Sequence, residues 1–259
     1  METPSPTAAV ASRVMLSVTG LTKEIDGQKI LRGIDLEVDA GETLVIIGRS
    51  GSGKSVLLKH LIGLMTPTSG DVRIEGRQIV GLTERQLLPI RKSVGMMFQG
   101  CALFDAMTVE ENIAFPLREA GERNPKIIHD KVAAALEVVD LTGHEQKMPV
   151  NLSGGMKKRV AMARVIITHP HCVLYDEPTA GLDPVVSDSI NHLIRRLQKR
   201  FGMTSIVVTH DMKCAAFVAD KIAYLHEGAI YFYGTFQELM ASQDPLIQDF
   251  IEGRSGERD

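Results

Sequence analysis

Apolar positions recur along this chain at two periods, and the change from one to the other outlines the fold. Leu16–Val18 and Leu36–Val38 predict short strands on either side of a glycine-containing turn at Asp26 and Gly27. Leu44–Ile47 is an uninterrupted apolar run of the kind a buried parallel strand needs, and it leads through a glycine-rich segment into a helical pattern over Val56–Leu64. Val72–Ile74 alternates, and Val94–Phe98 predicts another strand. From about Cys101 to Thr168 the period becomes helical. Ile127–Val139 carries apolar residues at three- and four-residue steps, and Ser153 precedes a stripe of Met156, Val160, Ala163 and Ile167. Strand signals return at Cys172–Tyr175, Ile206–Val208 and Ile222–Leu225, separated by helical stretches such as Ser187–Arg200. The alternation predicts an α/β sheet interrupted by a helical insertion.

Composition narrows the class. With 259 residues, 44% hydrophobic and 24% charged, the chain has the make-up of an ordinary globular protein, with material for one large domain or two small ones. The 29 basic and 32 acidic residues sum to a net charge of -3, which gives no electrostatic footprint for duplex nucleic acid. Cys101, Cys172 and Cys214 are odd in number, widely spaced and without a CxxC pair, so they read as small apolar residues rather than a disulfide framework or zinc site. No apolar run approaches the roughly 18 residues that cross a bilayer. Residues 1–13, with prolines and small residues but no basic start or apolar centre, read as a loose tail rather than a secretory signal.

Gly48-Arg49-Ser50-Gly51-Ser52-Gly53-Lys54-Ser55 matches GxxxxGK[ST] between a predicted strand and a predicted helix. Such a loop lets consecutive N–H groups and the helix N-terminus point at phosphate oxygens, with Lys54 neutralising the β- and γ-phosphates and Ser55 offering a hydroxyl to Mg²⁺. Asp176 and Glu177 end an apolar strand, where carboxylates emerge at the carboxyl edge of a parallel sheet. Asp176 is placed to hold Mg²⁺ through water, leaving Glu177 to orient or deprotonate an attacking water. His169 and His171 form an HxH pair without further ligands nearby, which reads as a turn rather than a metal site.

Asn151-Leu152-Ser153-Gly154-Gly155-Met156, 99 residues beyond Lys54 when counted to Ser153, resembles the LSGGQ signature of ATP-binding cassette (ABC) ATPases. Gln99, the turn Ala180-Gly181-Leu182-Asp183, and Thr209-His210-Asp211 follow the family's order, so the resemblance covers about residues 14–234. It implies the ABC form of the P-loop NTPase fold, with a mainly parallel core sheet, an N-terminal antiparallel β region and a helical subdomain at about 100–168. The cassette would span 14–240, with a short C-terminal extension over 241–259. It further implies ATP and Mg²⁺ as cofactors and a head-to-tail pair of subunits, in which Ser153, Gly154 and Gly155 of one copy close over the γ-phosphate held by the other. By the same resemblance Gln99 reports on metal and attacking water, His210 contacts the γ-phosphate, and Asp183 lies on the turn that connects the two sites. The chain departs from the family in two places. Met156 stands where the signature usually has Gln, and Ile25 where many cassettes stack an aromatic on adenine.

The run Gln99–Val109, followed by Asn112–Glu119, resembles the ATP-binding subunit of phospholipid transporters of the MCE, or maintenance-of-lipid-asymmetry, type, and Met156 points the same way. This implies integral membrane permease subunits, an MCE substrate-binding protein and a small regulatory subunit as partners, at the cytoplasmic face of an inner membrane. Phe104, Met107 and Phe115 are candidates to line a groove for a helix of the permease. A DNA-repair or chromosome-organising ATPase needs a coiled-coil insertion for which 99–152 leaves no room, and soluble regulatory ATPases join two cassettes where this sequence has one phosphate loop. A transporter ATPase for another substrate is the remaining alternative.

Overall fold

The computed structural model describes residues 14–254, so the tail expected over 1–13 lies outside the described residues. The chain opens with a long hairpin, β1 (Val14–Ile25) and β2 (Gln28–Asp39), joined by Asp26 and Gly27, both in the left-handed region at φ 50° and 78°. The short strands expected at 16–18 and 36–38 are the mutually paired ends of these 12-residue strands away from the turn, and the turn-side halves carry Lys23, Glu24 and Lys29 and so show no continuous apolar signal. Next come β3 (Thr43–Ile47), α1 (Lys54–Leu61), β4 (Ser69–Ile74), β5 (Arg77–Gln78), α2 (Glu84–Ser93) and β6 (Val94–Met97). The helical stretch is α3 (Val109–Glu119), α4 (Pro125–Val138) and α5 (Gly154–Ile166). The rest alternates through β7 (Cys172–Asp176), α6 (Pro184–Phe201), β8 (Thr204–Thr209), α7 (Met212–Val218), β9 (Lys221–His226) and β10 (Ala229–Gly234), then closes with α8 (Phe236–Ala241) and α9 (Pro245–Ile251).

Two sheets result. An antiparallel one has the order β2-β1-β4-β5, and a six-stranded one has the order β10-β9-β3-β8-β7-β6, parallel except for the β10–β9 pair. In the six-stranded sheet both faces are buried. Leu44 and Ile46 of β3 join a core with α1 and the antiparallel sheet, whereas Val45 and Ile47 join a second core with the helices from α3 onward. Cys172 and Leu174 against Val173 and Tyr175 repeat that alternation on β7. Each such side chain contributes roughly 1.5–3 kcal/mol by leaving water, so the strands at the sheet's centre are the least able to move.

Helix ends are set by local chemistry. Asp183 Oδ1 accepts from the amides of Val185 and Val186 at 3.0 Å each, Pro184 opens α6, and Gly202 at φ 61° ends it after a buried stripe of Ile190, Leu193, Ile194 and Leu197. The C-terminal residues fold back as well. Ile247 of α9 is buried, and Phe250 packs on Tyr224 of β9 with ring centroids 4.7 Å apart. The segment after α8 thus packs on the main core through Ile247 and Phe250. All three cysteines are free and buried.

Candidate nucleotide site

β3 delivers the chain into a loop, Gly48–Gly53, that turns directly into α1. The first glycine is required by space, since a Cβ on Gly48 would lie 2.4 Å from the Leu225 carbonyl oxygen and 2.7 Å from Ser52 Oγ. Gly53 is required by conformation, at φ 102°. α1 then starts with no side-chain cap and no acidic residue in its first turn, while in each of α3 to α9 a Thr, Asn, Ser or Asp oxygen accepts from the first-turn amides. The amide end of α1 thus keeps its orphan donors and positive dipole for an anion. Ser50 and Gly51 form the exposed crest of the loop, and Arg49 donates to the Arg254 carbonyl at 2.6 Å.

Lys54 is 7% exposed, and its Nζ donates to the carbonyls of Gly48 and Arg49 at 2.8 and 2.9 Å. Burial pulls its pKa down, with Glu177 and Asp176 pulling the other way. Ser55 Oγ donates to Asp176 Oδ1 at 3.0 Å, which joins the phosphate loop to the end of β7. Burial raises the Asp176 carboxyl above its ordinary range against the lowering effect of the Ser55 bond. The next residue is held in an unusual way. Glu177 has φ 47°, its N–H donates to the Val208 carbonyl at 2.9 Å, Oε1 pairs with His210 Nδ1 at 2.9 Å, and Oε2 is buried without a partner. A left-handed non-glycine residue and a buried orphan oxygen each cost on the order of 1–3 kcal/mol, and such costs concentrate where chemistry is done. Glu177 and His210 open on a cleft of about 1110 Å³ whose lining includes the Ala180–Leu182 turn and Phe217 but not the phosphate loop.

The second candidate surface is the head of α5. Ser153 Oγ accepts from the Met156 amide at 3.3 Å, Ser153 and Gly154 are exposed, and the first turn holds no acid. Gly155 has a packing reason as well, because a Cβ there would fall 2.5 Å from Val186 Cγ1 of α6. The same head meets the Asp183 turn, where Leu182 Cδ2 would lie 3.1 Å from a Cβ on Gly154. Gln99 follows β6 with an exposed side chain, which among the described residues makes no hydrogen bond to Ser55, Asp176 or Glu177. Its main-chain oxygen accepts from Lys158.

The sequence profile of the ABC transporter family matches residues 31–180, more than half of the chain. The chain belongs to the ABC transporter family. As a member it is an ATP-hydrolysing cassette that powers a transporter. It is 38% identical to the "Probable ribonucleotide transport ATP-binding protein mkl" of Mycobacterium leprae (strain TN), over 93% of this chain and 70% of that one. It is 40% identical to the methionine import ATP-binding protein MetN of Rhizobium etli, over 96% and 69%. It is 36% identical to the intermembrane phospholipid transport system ATP-binding protein MlaF of Haemophilus influenzae, over 93% and 91%. Among solved structures it superposes with TM-score 0.79 on an ATP-binding cassette solved as a dimer after hydrolysis with ADP and Pi, at 31% identity over 86% of this chain and 99% of that one.

The cassette also contains site-supporting residues that sequence reasoning missed. Lys158 of α5 is 4% exposed and donates to the Gln99 carbonyl at 2.6 Å and the Glu177 carbonyl at 3.3 Å. Arg164, farther along the same helix, donates to the carbonyls of Cys101 and Ala102 at 2.7 and 2.8 Å. Buried Asn112 clasps the main chain of Phe104, Met107 and Thr108 with four hydrogen bonds. No sequence signal marked Lys158, whose burial with Gly155 and Met162 on one face of α5 emerges only from the packing. In the segment between Gln99 and α3, Phe104 is 42% exposed and packs on Phe115 at 4.8 Å.

Proposed function

We propose that two copies of this cassette close head to tail on two MgATP and that their hydrolysis drives a membrane permease moving phospholipid. The observation that carries the reading is the division of the anion-binding machinery. Lys54, Ser55, Asp176, Glu177 and His210 gather at the carboxyl edge of the sheet, whereas the head of α5 is a separate, exposed, positively polarised surface without acid in its first turn. The second surface suits the γ-phosphate of a nucleotide held by another copy, and the likeness to a cassette solved as a dimer supports that arrangement.

In this reading the amides of Gly48–Gly53 and Lys54 hold the β- and γ-phosphates. Ser55 and Asp176, already 3.0 Å apart, are the oxygen donors that would hold Mg²⁺, and Gln99 is the residue that would report on metal and attacking water. When bound, the ion neutralises charge on the phosphate oxygens. Among the described residues no three His, Cys, Asp or Glu side chains gather for a metal. Glu177 accepts the proton of a water whose oxygen bonds to the γ-phosphorus as the bond to the ADP oxygen breaks. His210 fixes one Glu177 oxygen, leaving the orphan Oε2 for that proton, and its exposed ring is free to contact the γ-phosphate. Ser153, Gly154 and Gly155 of the other copy spread the charge, and Asp183 links the two sites through its turn. Most of the acceleration is then positioning and electrostatics.

Phospholipid as cargo is supported by the run Gln99–Glu119, by Met156 and by the likeness to the phospholipid-transport relative, which matches over nine-tenths of both chains. The likeness to the ribonucleotide and methionine relatives favours a second reading, the same engine with another cargo. Exposed Phe104, with Met107 and Phe115, is the proposed seat for a permease helix. No helix among the described residues is long and apolar enough to cross a membrane, and the proposed location is peripheral, on the cytoplasmic face of an inner membrane. An MCE substrate-binding protein and a small regulatory subunit complete the proposed assembly. Glu177→Gln is expected to bind ATP, stay paired and lose roughly 100-fold or more in kcat, and normal turnover would overturn the mechanism. Mass spectrometry of the purified membrane complex should find phospholipid, and bound methionine or nucleoside without lipid would overturn the cargo.

A further inference from the structure

The helix headed by Ser153 carries, one turn farther in, a charge that phosphate binding does not use. The Lys158 ammonium is buried, and a buried ammonium is tolerated only where its protons are satisfied. Here the acceptors are two main-chain carbonyls, of Gln99 at 2.6 Å and of Glu177 at 3.3 Å. Both belong to segments that regular secondary structure does not hold. Glu177 sits at φ 47°, and two residues after Gln99 the chain passes through consecutive left-handed residues, Cys101 at φ 64° and Ala102 at φ 48°. Arg164 of the same helix binds the carbonyls of those two. One helix therefore fastens, with two cations, the main chain on both flanks of the candidate water site.

We infer that Lys158 is a positioning residue for hydrolysis, tying the main chains of Glu177 and Gln99 to the helix whose head forms the signature surface. The inference deepens the proposed mechanism and rests on Glu177 being the proton acceptor. Its consequence is mechanical. Ser153 and Gly154 at the head of α5 meet the partner's nucleotide, while the body of α5 holds the acid that acts on this copy's own nucleotide. A displacement of α5 on engaging the partner's γ-phosphate shifts Glu177 and Gln99 together, so each site responds to the filling of the other. A lysine serving only to pack α5 against β6 would change stability and nothing in the chemical step.

Three variants of the full-length chain separate these roles. Lys158→Met keeps the length of the side chain and removes the donor. It is expected to keep ATP affinity within about twofold and to lower kcat by about tenfold or more, a loss confined to the reacting state. Lys158→Gln restores an N–H donor and is expected to recover part of that loss with KM unchanged. It also supplies the measurement should the methionine variant fail to fold. In single-turnover hydrolysis on a Glu177→Gln background, Lys158→Met is expected to cost less than about threefold, because the carboxylate it positions is gone and only the tie to the Gln99 main chain is left to lose. An unchanged kcat in both Lys158 variants, or an equal loss with and without Glu177, would overturn the inference. Full turnover by Glu177→Gln alone would instead overturn the underlying mechanism, whatever Lys158 does.

Discussion

Gly155→Ala tests whether the second signature glycine serves packing as well as anion binding. The glycine is helical with an ordinary φ, so alanine meets no backbone strain there, and by intrinsic propensity alone the change stabilises by up to about 1 kcal/mol. Against this stands the new methyl group, 2.5 Å from Val186 Cγ1, about 1 Å inside normal contact. Val186 lies in the first turn of α6, where a β-branched side chain has one strongly preferred rotamer, so it cannot turn aside without cost. Overpacking of this kind costs about 1–3 kcal/mol, which exceeds the propensity gain over most of its range. The expected net loss is about 1–2 kcal/mol, or roughly 2–8 °C in Tm for a domain of this size. Gly154→Ala is the control, since its methyl would meet only the flexible end of Leu182 at 3.1 Å. It should melt at or above the parent, by up to roughly 4 °C. Val186→Ala combined with Gly155→Ala should recover most of the loss in thermal unfolding followed by circular dichroism. If Gly155→Ala melts with Gly154→Ala, Val186 yields freely and the packing argument is wrong.

Other expectations are read directly from burial and charge. Burial pushes the thiols of Cys172 and Cys214 up to about 12 and raises that of Cys101, so at pH 8 a disulfide reagent should find no rapidly reacting thiol in the native cassette and three after denaturation. One native thiol labelled within minutes would contradict that. Asp140, after α4, binds Arg159 of α5 at 2.8 Å and Arg196 of α6 at 2.7 Å. Desolvation works to raise its carboxyl, but these two arginines hold it below the ordinary range. Its contribution is therefore complete above the unfolded carboxylate range and lost as pH falls through the lowered value. Asp140→Asn should flatten the fall in Tm between about pH 5 and pH 3, and an unchanged acid limb would show that the pair is screened away.

What could be read in the sequence depended on whether a residue's role was local. The phosphate loop was legible because a glycine that must avoid the Leu225 carbonyl, a lysine and a hydroxyl all lie within eight positions. The strand ending in Asp176 and Glu177 was legible because both faces of β7 are buried, so its apolar run is unbroken. β1 and β2 were read as three residues each because clean alternation of buried and polar positions survives only at their paired ends, while the turn-side halves carry Lys23, Glu24 and Lys29. α2 was missed outright, as it buries only Leu87 and Ile90 and contains Pro89. Lys158 was missed for a different reason. A lysine on a helix is ordinarily a solvated charge, and only the arrival of two carbonyls from segments 59 residues before and 19 residues after it makes this one structural.

The two candidate anion-binding helix heads differ in how they are held, and that difference says which can move. The head of α1 is continuous with β3 at the centre of the six-stranded sheet, and its lysine is bonded within its own loop. Its geometry is set by the most buried part of the fold. The head of α5 instead rests on the start of α6 through Gly155 against Val186 and on the 180–183 turn through Gly154 against Leu182. The start of α6 in turn is defined by the Asp183 cap. Any displacement of Asp183 must then carry the signature surface with it, and through Lys158 the carbonyl of Glu177 as well. In the proposed mechanism Asp183 would act on the chemistry by way of helix α5, without needing to touch a nucleotide.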